Sequence, residues 1–247
     1  MTQFPKTLEE AIAQAQEATV EAIEAGNTRV QVELEIPEVS LKSQAIAWEF
    51  TAIFQEFLEG LKVIFPDTGA AALARRDWGE VPFTVTDLGS RNTSIETKVD
   101  SEDVAFLVVC PSAVEVGKVE TLCNLAGDRP VVLLIPQLED VATVGIGYAA
   151  RQIRERFLST LETSYHIKPL EGAAILRRFP SQWQVWLEKD NDYELIAEEP
   201  QKPVGDHLQL ILAQATGTDE PTTEATPAPK KTGLLANLQR FLRALSQ

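Results

Sequence analysis

The sequence contains few of the side chains from which covalent and metal-based sites are commonly built. Its two cysteines, Cys110 and Cys123, and its two histidines, His166 and His207, are scattered along 247 residues. That number and spacing exclude a disulfide framework and a zinc-binding motif, so no metal site and no cofactor is expected. We interpret the cysteines as small buried hydrophobic residues and the histidines as structural residues.

The chain also lacks a long apolar run. Its longest purely apolar segments are residues 104–110 and 131–135, whereas a helix that crosses a bilayer needs about 20 apolar residues. The N-terminal segment MTQFPKTLEEAIAQAQ does not have the charged-then-apolar layout of a signal peptide. The sequence therefore predicts a protein that is soluble or attached to a membrane surface.

Basic residues are scarce relative to acidic ones. Lysine and arginine total 22 against 37 aspartates and glutamates, which gives a net charge of −15. The segment from Thr216 onward holds four basic and three acidic residues, so it carries +1 and the preceding 215 residues carry −16. Because a body this acidic repels phosphate groups, nucleic acid is not an expected partner.

Hydrophobic periodicity along residues 1–215 indicates an α/β domain. Residues 103–112 and 131–138 are continuous apolar runs, typical of strands that are buried on both faces of a parallel sheet. Segments with a helical apolar stripe alternate with such strands, and four strand-like segments follow between residues 164 and 199. The pattern predicts a mostly parallel sheet flanked by helices, with an antiparallel C-terminal extension.

Three local patterns make sharper predictions. Thr7 and Glu10 form a capping-box pair that starts the first helix. Residues 41–59 carry a wide apolar stripe, which predicts one long helix packed on the sheet. Asn191-Asp192 is predicted to form a hairpin turn between two strands.

A segment without large apolar residues separates the domain from a basic C-terminal segment. Residues 216–229, TGTDEPTTEATPAP, include three prolines, which predicts a disordered linker. Residues 230–247 then place six large apolar residues on one helical stripe beside four basic residues. We expect an amphipathic helix that binds a membrane surface or a partner groove, with docking on its own domain as the alternative. Its predicted contact residues are Lys230, Lys231, Leu234, Leu235, Leu238, Arg240, Phe241, Leu242, Arg243 and Leu245.

A second candidate site is a ligand pocket at the carboxyl ends of the parallel strands, where open α/β sheets bind their ligands. The chain has no phosphate loop and no nucleophile elbow. Gly145, Gly147 and Ala150 fit the letters of a dinucleotide fingerprint, but the preceding strand ends near Pro136, so a loop that enters a helix is the better interpretation. The candidate pocket residues are Asp87, Pro111, Ser112, Gln137, Arg151 and Arg154.

Arginines recur at 75–76, 151–156 and 177–178. We interpret them as partners of the abundant carboxylates, and a site for an anion or an acidic partner is the alternative.

Six segments carry a resemblance to a known family. They are FPDTGAAALA (65–74), TDLGS (86–90), DVAFLVVCPS (103–112), VVLLIPQLED (131–140), RERF (154–157) and PLEGAAILRRFPSQWQVW (169–186). This pattern resembles a family of domains of unknown function from cyanobacteria and chloroplasts that includes the plant low photosystem II accumulation protein. The family usually has an asparagine where this chain has Ile135. The resemblance implies a cyanobacterial protein, cytoplasmic or peripheral to the thylakoid membrane, whose partner is that membrane surface or a subunit of a photosynthetic complex.

Three hypotheses for function follow. The first is a non-enzymatic accessory factor that helps to assemble or maintain photosynthetic membrane complexes and is tethered by its C-terminal helix. The second is an enzyme or other protein that binds a nucleotide or small ligand at the carboxyl ends of the strands. The third is a soluble adaptor whose C-terminal helix fills a groove on a partner.

Overall fold

A nine-stranded sheet organises the described part of the chain. The computed structural model describes residues 3–90, 93–138, 148–190 and 192–217, and of residues 148–150 it describes the backbone alone. The predicted linker beyond Gly217 and the C-terminal segment 230–247 lie outside these residues, as do Gly145 and Gly147. The strands are β1 (Arg29–Leu34), β2 (Leu61–Phe65), β3 (Thr84–Asp87), β4 (Ala105–Val109), β5 (Val131–Leu134), β6 (Glu162–Leu170), β7 (Ala173–Arg178), β8 (Trp183–Lys189) and β9 (Asp192–Glu199).

The strand order confirms the predicted mostly parallel sheet with an antiparallel extension. The order is β3-β2-β4-β5-β1-β6-β7-β8-β9. The pairs from β3 to β6 are all parallel. The pairs from β6 to β9 are antiparallel. Helices connect the parallel strands, as a crossover between parallel neighbours requires.

Helices cover both faces of the sheet, which makes three layers. They are α1 (Leu8–Glu24), α2 (Ser43–Phe50), α3 (Thr68–Trp78), α4 (Val116–Ala126), α5 (Tyr148–Arg156) and α6 (Gly205–Thr216). Buried residues of α1, α2 and α3 share one apolar core with the face of β1 that carries Val30 and Val32, which we call the first face. Buried residues of α4, together with Ile153 and Phe157 at the end of α5, pack on the opposite, second face. Each residue of β4 and β5 is buried because both layers cover these two strands.

The first helix begins as its sequence predicts. The Thr7 side chain accepts a hydrogen bond from the Glu10 N–H at 3.1 Å. The Glu10 carboxylate reaches back to the Lys6 N–H at 2.6 Å rather than to Thr7 itself. The cap thus satisfies two N–H groups at the start of the helix, one of them one residue earlier than a standard capping box does.

The long helix predicted over residues 41–59 is wrong in extent. The α-helix is confined to Ser43–Phe50, and Thr51–Gly60 follows as 3₁₀ turns with non-helical angles at Phe54 and Phe57. Thr51 and the aromatic side chains have weaker helix propensity than straight-chain residues, so packing of Phe54 in the core decides the backbone there.

The predicted hairpin turn is displaced by one residue. Lys189 pairs with Asp192 across β8 and β9, so Asp192 belongs to the strand and the turn begins at Asp190. Asp190 has φ of 52°, a left-handed conformation that aspartate tolerates better than most residues.

Candidate functional site

After the neighbouring strands β1 and β5, the chain continues to opposite faces of the sheet. The connection after β1 leads to α2 on the first face, and the connection after β5 leads to α5 on the second face. The space between diverging connections at the carboxyl ends of parallel strands is where open α/β sheets form ligand clefts. A cleft of about 1030 Å³ lies at this point, beside the ends of β1, β4 and β5.

The wall of the cleft is mostly polar. Three carboxylates, Glu33, Glu35 and Glu38, contribute to it together with the Lys202 ammonium. Gln31, Ser112, Gln137 and Thr163 add amide and hydroxyl groups, and Trp183 adds an aromatic side chain. Among the described lining residues the carboxylates outnumber the ammonium, so the cleft is more suitable for a cationic or neutral group than for a polyphosphate.

The same backbone conformation follows both β4 and β5 and brings Ser112 and Gln137 together. The residue directly after each of β4 and β5 has positive φ, Cys110 at 46° and Ile135 at 53°, and a proline follows each one. The two segments then form a parallel bridge between Ser112 and Gln137, in which the Gln137 N–H donates to the Pro111 carbonyl at 2.8 Å. A non-glycine residue at positive φ costs roughly 1–3 kcal/mol and is concentrated at functional sites.

The Ser112 hydroxyl is engaged by its own turn. Its Oγ hydrogen-bonds to the Glu115 carboxylate and accepts from the Val114 N–H at 3.2 Å. The Ser112 N–H donates to the same carboxylate at 3.0 Å. These contacts fix the turn that precedes α4, so Ser112 contributes to the shape of the cleft and its hydroxyl is engaged within that turn.

A row of polar side chains crosses the second face beside the cleft. Glu33 on β1 is the register partner of His166 on β6, and His166 is the partner of Arg177 on β7. His166 is fully buried, and its Nδ1 lies 2.8 Å from Glu33 Oε2 and 3.9 Å from Glu35 Oε1. The pairing of β1 with β6 thus directs an imidazole at one carboxylate of β1 and at a second one that directly follows this strand.

Two lysines complete this cluster. Lys202, from the loop between β9 and α6, lies 3.2 Å from Glu35 and 3.6 Å from Glu33. Lys168 pairs with Glu35 at 2.5 Å. We call Glu33, Glu35, His166, Lys168 and Lys202 the Glu-His-Lys cluster.

Trp183 closes one side of the cluster. Its ring centroid is 5.0 Å from the His166 ring in an edge-to-face arrangement. Lys202 Nζ and the Arg177 guanidinium lie 5.5 and 5.4 Å from the same ring, within the range of a cation–π interaction. The indole therefore packs against the imidazole and lies within reach of both cations.

Burial and neighbouring charge set the protonation states of the cluster. Burial raises the pKa of Glu33, but the hydrogen bond with His166 and the charge of Lys202 outweigh it, so this pKa lies below its ordinary value. Burial also raises the pKa of Glu35, and the hydrogen bond with Lys168 and the charge of Lys202 again bring it below its ordinary value. Burial lowers the pKa of His166 more than Glu33 raises it. At neutral pH the cluster thus contains two carboxylates and a neutral imidazole.

Two buried nitrogens in this region have no hydrogen-bond partner in the described part of the chain. They are His166 Nε2 and Arg177 Nε, on neighbouring strands. A buried polar atom left unsatisfied costs roughly 1–3 kcal/mol. This cost lowers the stability of the folded protein at the place where the imidazole faces Glu33 and Glu35.

The predicted pocket residues are only partly brought together. Ser112 and Gln137 line the cleft, and the Pro111 carbonyl joins their bridge. Asp87 instead lies at the end of edge strand β3, where it accepts from the Gly89 N–H at 2.6 Å and faces Lys98 at 3.5 Å. Arg151 and Arg154 are exposed on α5 and are not among the described lining residues of the cleft. The predicted contact residues between Lys230 and Leu245 lie outside the described residues.

Most of the described arginines in ion pairs contact carboxylates of this chain, in line with our interpretation. Arg76 pairs with Asp77, Arg156 with Glu120, and Arg178 with Glu17. Both cysteines are free; Cys123 is buried, as predicted, whereas Cys110 is only partly buried. Burial raises the pKa of Cys110, and it raises that of Cys123 to about 12, so neither thiol is activated.

The Glu-His-Lys cluster was missed by the sequence analysis. The one signal was the alternation of Glu33 and Glu35 on the polar face of a strand, a pattern that any half-solvated strand also shows. His166 lies 133 residues after Glu33, and only the pairing of β1 with β6 brings them together.

The fold and the cleft place the protein among α/β proteins with an open, mostly parallel sheet and a polar cleft at its carboxyl ends. Within the described residues, no helix is long and apolar enough to cross a membrane. The chain belongs to the family described as Domain of unknown function (DUF1995), whose model matches residues 5–210. No solved structure matches the chain.

Proposed function

We propose that the protein is a non-enzymatic accessory factor whose α/β domain binds a partner group or small ligand in the cleft. The observation that carries this proposal is the position and lining of the cleft, between the diverging connections of β1 and β5. Its amide, hydroxyl and carboxylate groups converge on a space large enough for a drug-sized molecule or a partner side chain.

Binding rather than catalysis is favoured by what the polar groups already do. The Ser112 hydroxyl is held by Glu115 and Val114, and His166 is paired with Glu33 rather than with a hydroxyl. A nucleotide- or ligand-binding enzyme is the second candidate because the cleft occupies the place at which such enzymes bind substrate. The three carboxylates of the wall disfavour a nucleotide polyphosphate as that ligand.

The basic C-terminal segment is proposed as the membrane attachment. The apolar faces of the sheet are covered by α1 to α5, so the described domain has a closed core without that segment. A stripe of six large apolar residues with four basic residues would bind anionic lipid modestly and reversibly. Over the 14-residue linker it would reach at most about 45 Å from the domain.

The proposed location is the photosynthetic membrane. Support comes from the resemblance of the segments between Phe65 and Trp186 to a family from cyanobacteria and chloroplasts that includes the plant low photosystem II accumulation protein. The factor would be cytoplasmic, peripheral to the thylakoid membrane, and would help to assemble or maintain its complexes.

Co-sedimentation with lipid vesicles tests the attachment. The full chain is compared with a chain that ends at Pro229, on phosphatidylcholine vesicles with and without phosphatidylglycerol. The full chain is expected to sediment with the anionic vesicles, less so at high salt, and the shortened chain is expected to stay in the supernatant.

A matched pair of double variants separates apolar contact from charge. Leu238→Asp with Phe241→Asp disrupts the stripe, whereas Asn237→Asp with Gln239→Asp adds the same charge to the polar side. The first pair should abolish sedimentation and the second should only weaken it. If the full chain and the shortened chain both remain in the supernatant, the membrane proposal is wrong and a protein groove becomes the better explanation of the stripe.

A further inference from the structure

The Glu-His-Lys cluster contains a set of metal-ligand atoms that the sequence did not suggest. One carboxylate oxygen each from Glu33 and Glu35 and a ring nitrogen of His166 lie within 4.8 Å of one another. Two donors on one metal at bonds of about 2.1 Å lie at most about 4.2 Å apart. The two measured distances from His166 Nδ1, 2.8 and 3.9 Å, already fall inside that limit.

The fold holds one of the three ligands rigidly and leaves one adjustable. His166 is completely buried against Trp183, whereas the Glu35 side chain is 37% exposed. Glu35 directly follows β1, and its N–H still donates to the Ile167 carbonyl of β6 at 2.9 Å, so its side chain projects on the same side as that of Glu33, two residues earlier. A small rotation of Glu35 is therefore enough to bring its oxygen to a shared ion.

The buried imidazole is the independent sign of a ligand. A histidine with one ring nitrogen directed at two carboxylates, and the other buried without a partner in the described residues, is an expensive arrangement for a purely structural residue. A metal ion bound at Nδ1 would replace the hydrogen bond between Nδ1 and Glu33 and would leave the ring proton on Nε2.

The Lys202 ammonium shows that a cation is stable beside Glu33 and Glu35. Its ammonium lies against both carboxylates, at 3.2 and 3.6 Å. The Lys202 side chain is 31% exposed and comes from a loop, so it can turn to solvent without leaving a buried charge. A divalent ion attracts the two carboxylates more strongly than this one ammonium does. Lys168 contacts the other Glu35 oxygen, Oε2, so it can stay in place when an ion binds at Oε1.

We propose that Glu33, Glu35 and His166 bind one first-row divalent metal ion in exchange for the Lys202 ammonium. One nitrogen and two oxygen donors suit zinc, cobalt or manganese better than calcium or magnesium, which prefer oxygen donors alone. Three protein ligands leave a coordination position for a further ligand, and Glu33 and Glu35 also line the cleft. The ion would give the cleft a strong site for an electron-pair donor.

Titration of the tag-free full chain with Co²⁺ and Zn²⁺ tests this proposal, by calorimetry and by the visible absorption of bound Co²⁺. One equivalent is expected to bind, with a visible spectrum that Zn²⁺ abolishes by competition. Glu35→Gln and His166→Gln should each weaken binding by about tenfold or more. Lys202→Met should strengthen binding by about tenfold, because it removes the competing charge.

Two matched controls make the result specific. Glu38→Gln changes an exposed carboxylate of the same cleft, and His207→Gln changes the exposed histidine of α6; neither should alter the affinity. Glu35 is exposed, so Glu35→Gln is expected to keep the fold even if His166→Gln does not. The proposal is overturned if no saturable equivalent binds, or if Glu38→Gln weakens binding as much as Glu35→Gln. The titration contains no membrane, so its outcome is independent of the vesicle test.

Discussion

His166 is a histidine with an unusual environment, because it combines full burial with a carboxylate partner and an aromatic contact. It is fully buried, paired with Glu33 at 2.8 Å and packed edge-to-face on Trp183. Its charged and titratable neighbours are Glu33, Glu35 and Lys202, with Arg177 opposite it on β7. Because burial dominates, the pKa of His166 lies below 6.5 and the folded protein holds the ring neutral.

This depressed pKa predicts a loss of stability on mild acidification. Below pH 6.5 the unfolded chain gains a proton at His166 that the folded chain does not accept. The free energy of unfolding should therefore fall as the pH drops from 6.5 toward the folded pKa, by at most about 1.4 kcal/mol per pH unit. Urea unfolding from about pH 7.5 to about pH 5 measures this slope.

The slope is assigned by comparing two variants. His166→Gln should flatten it, and His207→Gln, at an exposed site on α6, should leave it in place. Glu33 and Glu35 contribute only below their ordinary value of 4.5, because their folded pKa values are lowered. A slope that is unchanged in His166→Gln would mean that His166 is not the linked group.

Ile135 shows what the sequence can and cannot reveal at the scale of one residue. Its position at the end of a buried strand was predictable, and so was the nearness of Ser112 and Gln137 at the same edge of the sheet. Its φ of 53° was not, because isoleucine avoids the left-handed region. The asparagine that the resembled family usually carries there suits this conformation, whereas Ile135 adds a side chain that is buried in the core.

Strand β2 is mostly apolar but carries one charged residue, Lys62, which is buried. The Lys62 side chain is 4% exposed, and it lies 2.7 Å from Asp100 and 2.8 Å from Asp103. Its ammonium also donates to the Lys98 carbonyl at 2.9 Å. Lys62 thus fastens the segment between β3 and β4 to the start of the parallel sheet.

Removal of this ammonium should destabilise the domain strongly. Lys62→Met leaves the buried Asp103 carboxylate without its cation, which costs about 3–5 kcal/mol in the free energy of unfolding. Chemical unfolding with urea measures the loss, and the added change Asp103→Asn should recover part of it. Lys189→Met, which breaks the exposed pair with Glu194, serves as the control and should cost less than about 1 kcal/mol. Equal losses in the two lysine variants would contradict this role of Lys62.

At the scale of the elements, the sequence best predicts the strands whose position is decided by the burial of apolar residues alone. β4 and β5 were predictable because continuous apolar residues have no other stable place than the centre of the sheet. The helix predicted over 41–59 was wrong in extent because the apolar stripe shows which residues face the core, and does not show that the backbone leaves the α-helical conformation after Phe50. Strand order was also beyond the sequence, and with it the meeting of Glu33 and His166, because β1 pairs with strands that follow it by about 100 residues or more.

At the scale of the molecule, charge divides the chain into two parts with different proposed tasks. The first 215 residues carry −16 and present a cleft with three carboxylates. The segment from Lys230 to Gln247 carries four basic residues and no acidic one. In this account the domain binds in its cleft, and the C-terminal segment keeps it at an anionic surface, so neither part is sufficient alone.

The level of assembled photosystem II in photosynthetic cells tests the central proposal most directly. Cells without their own copy of this protein are supplied with the full chain, with the chain that ends at Pro229, or with the Leu238→Asp, Phe241→Asp variant. The account predicts that loss of the protein lowers the amount of assembled complex, that the full chain restores it, and that the other two restore little of it. If cells without the protein assemble the complex at the normal level, the proposed function is wrong.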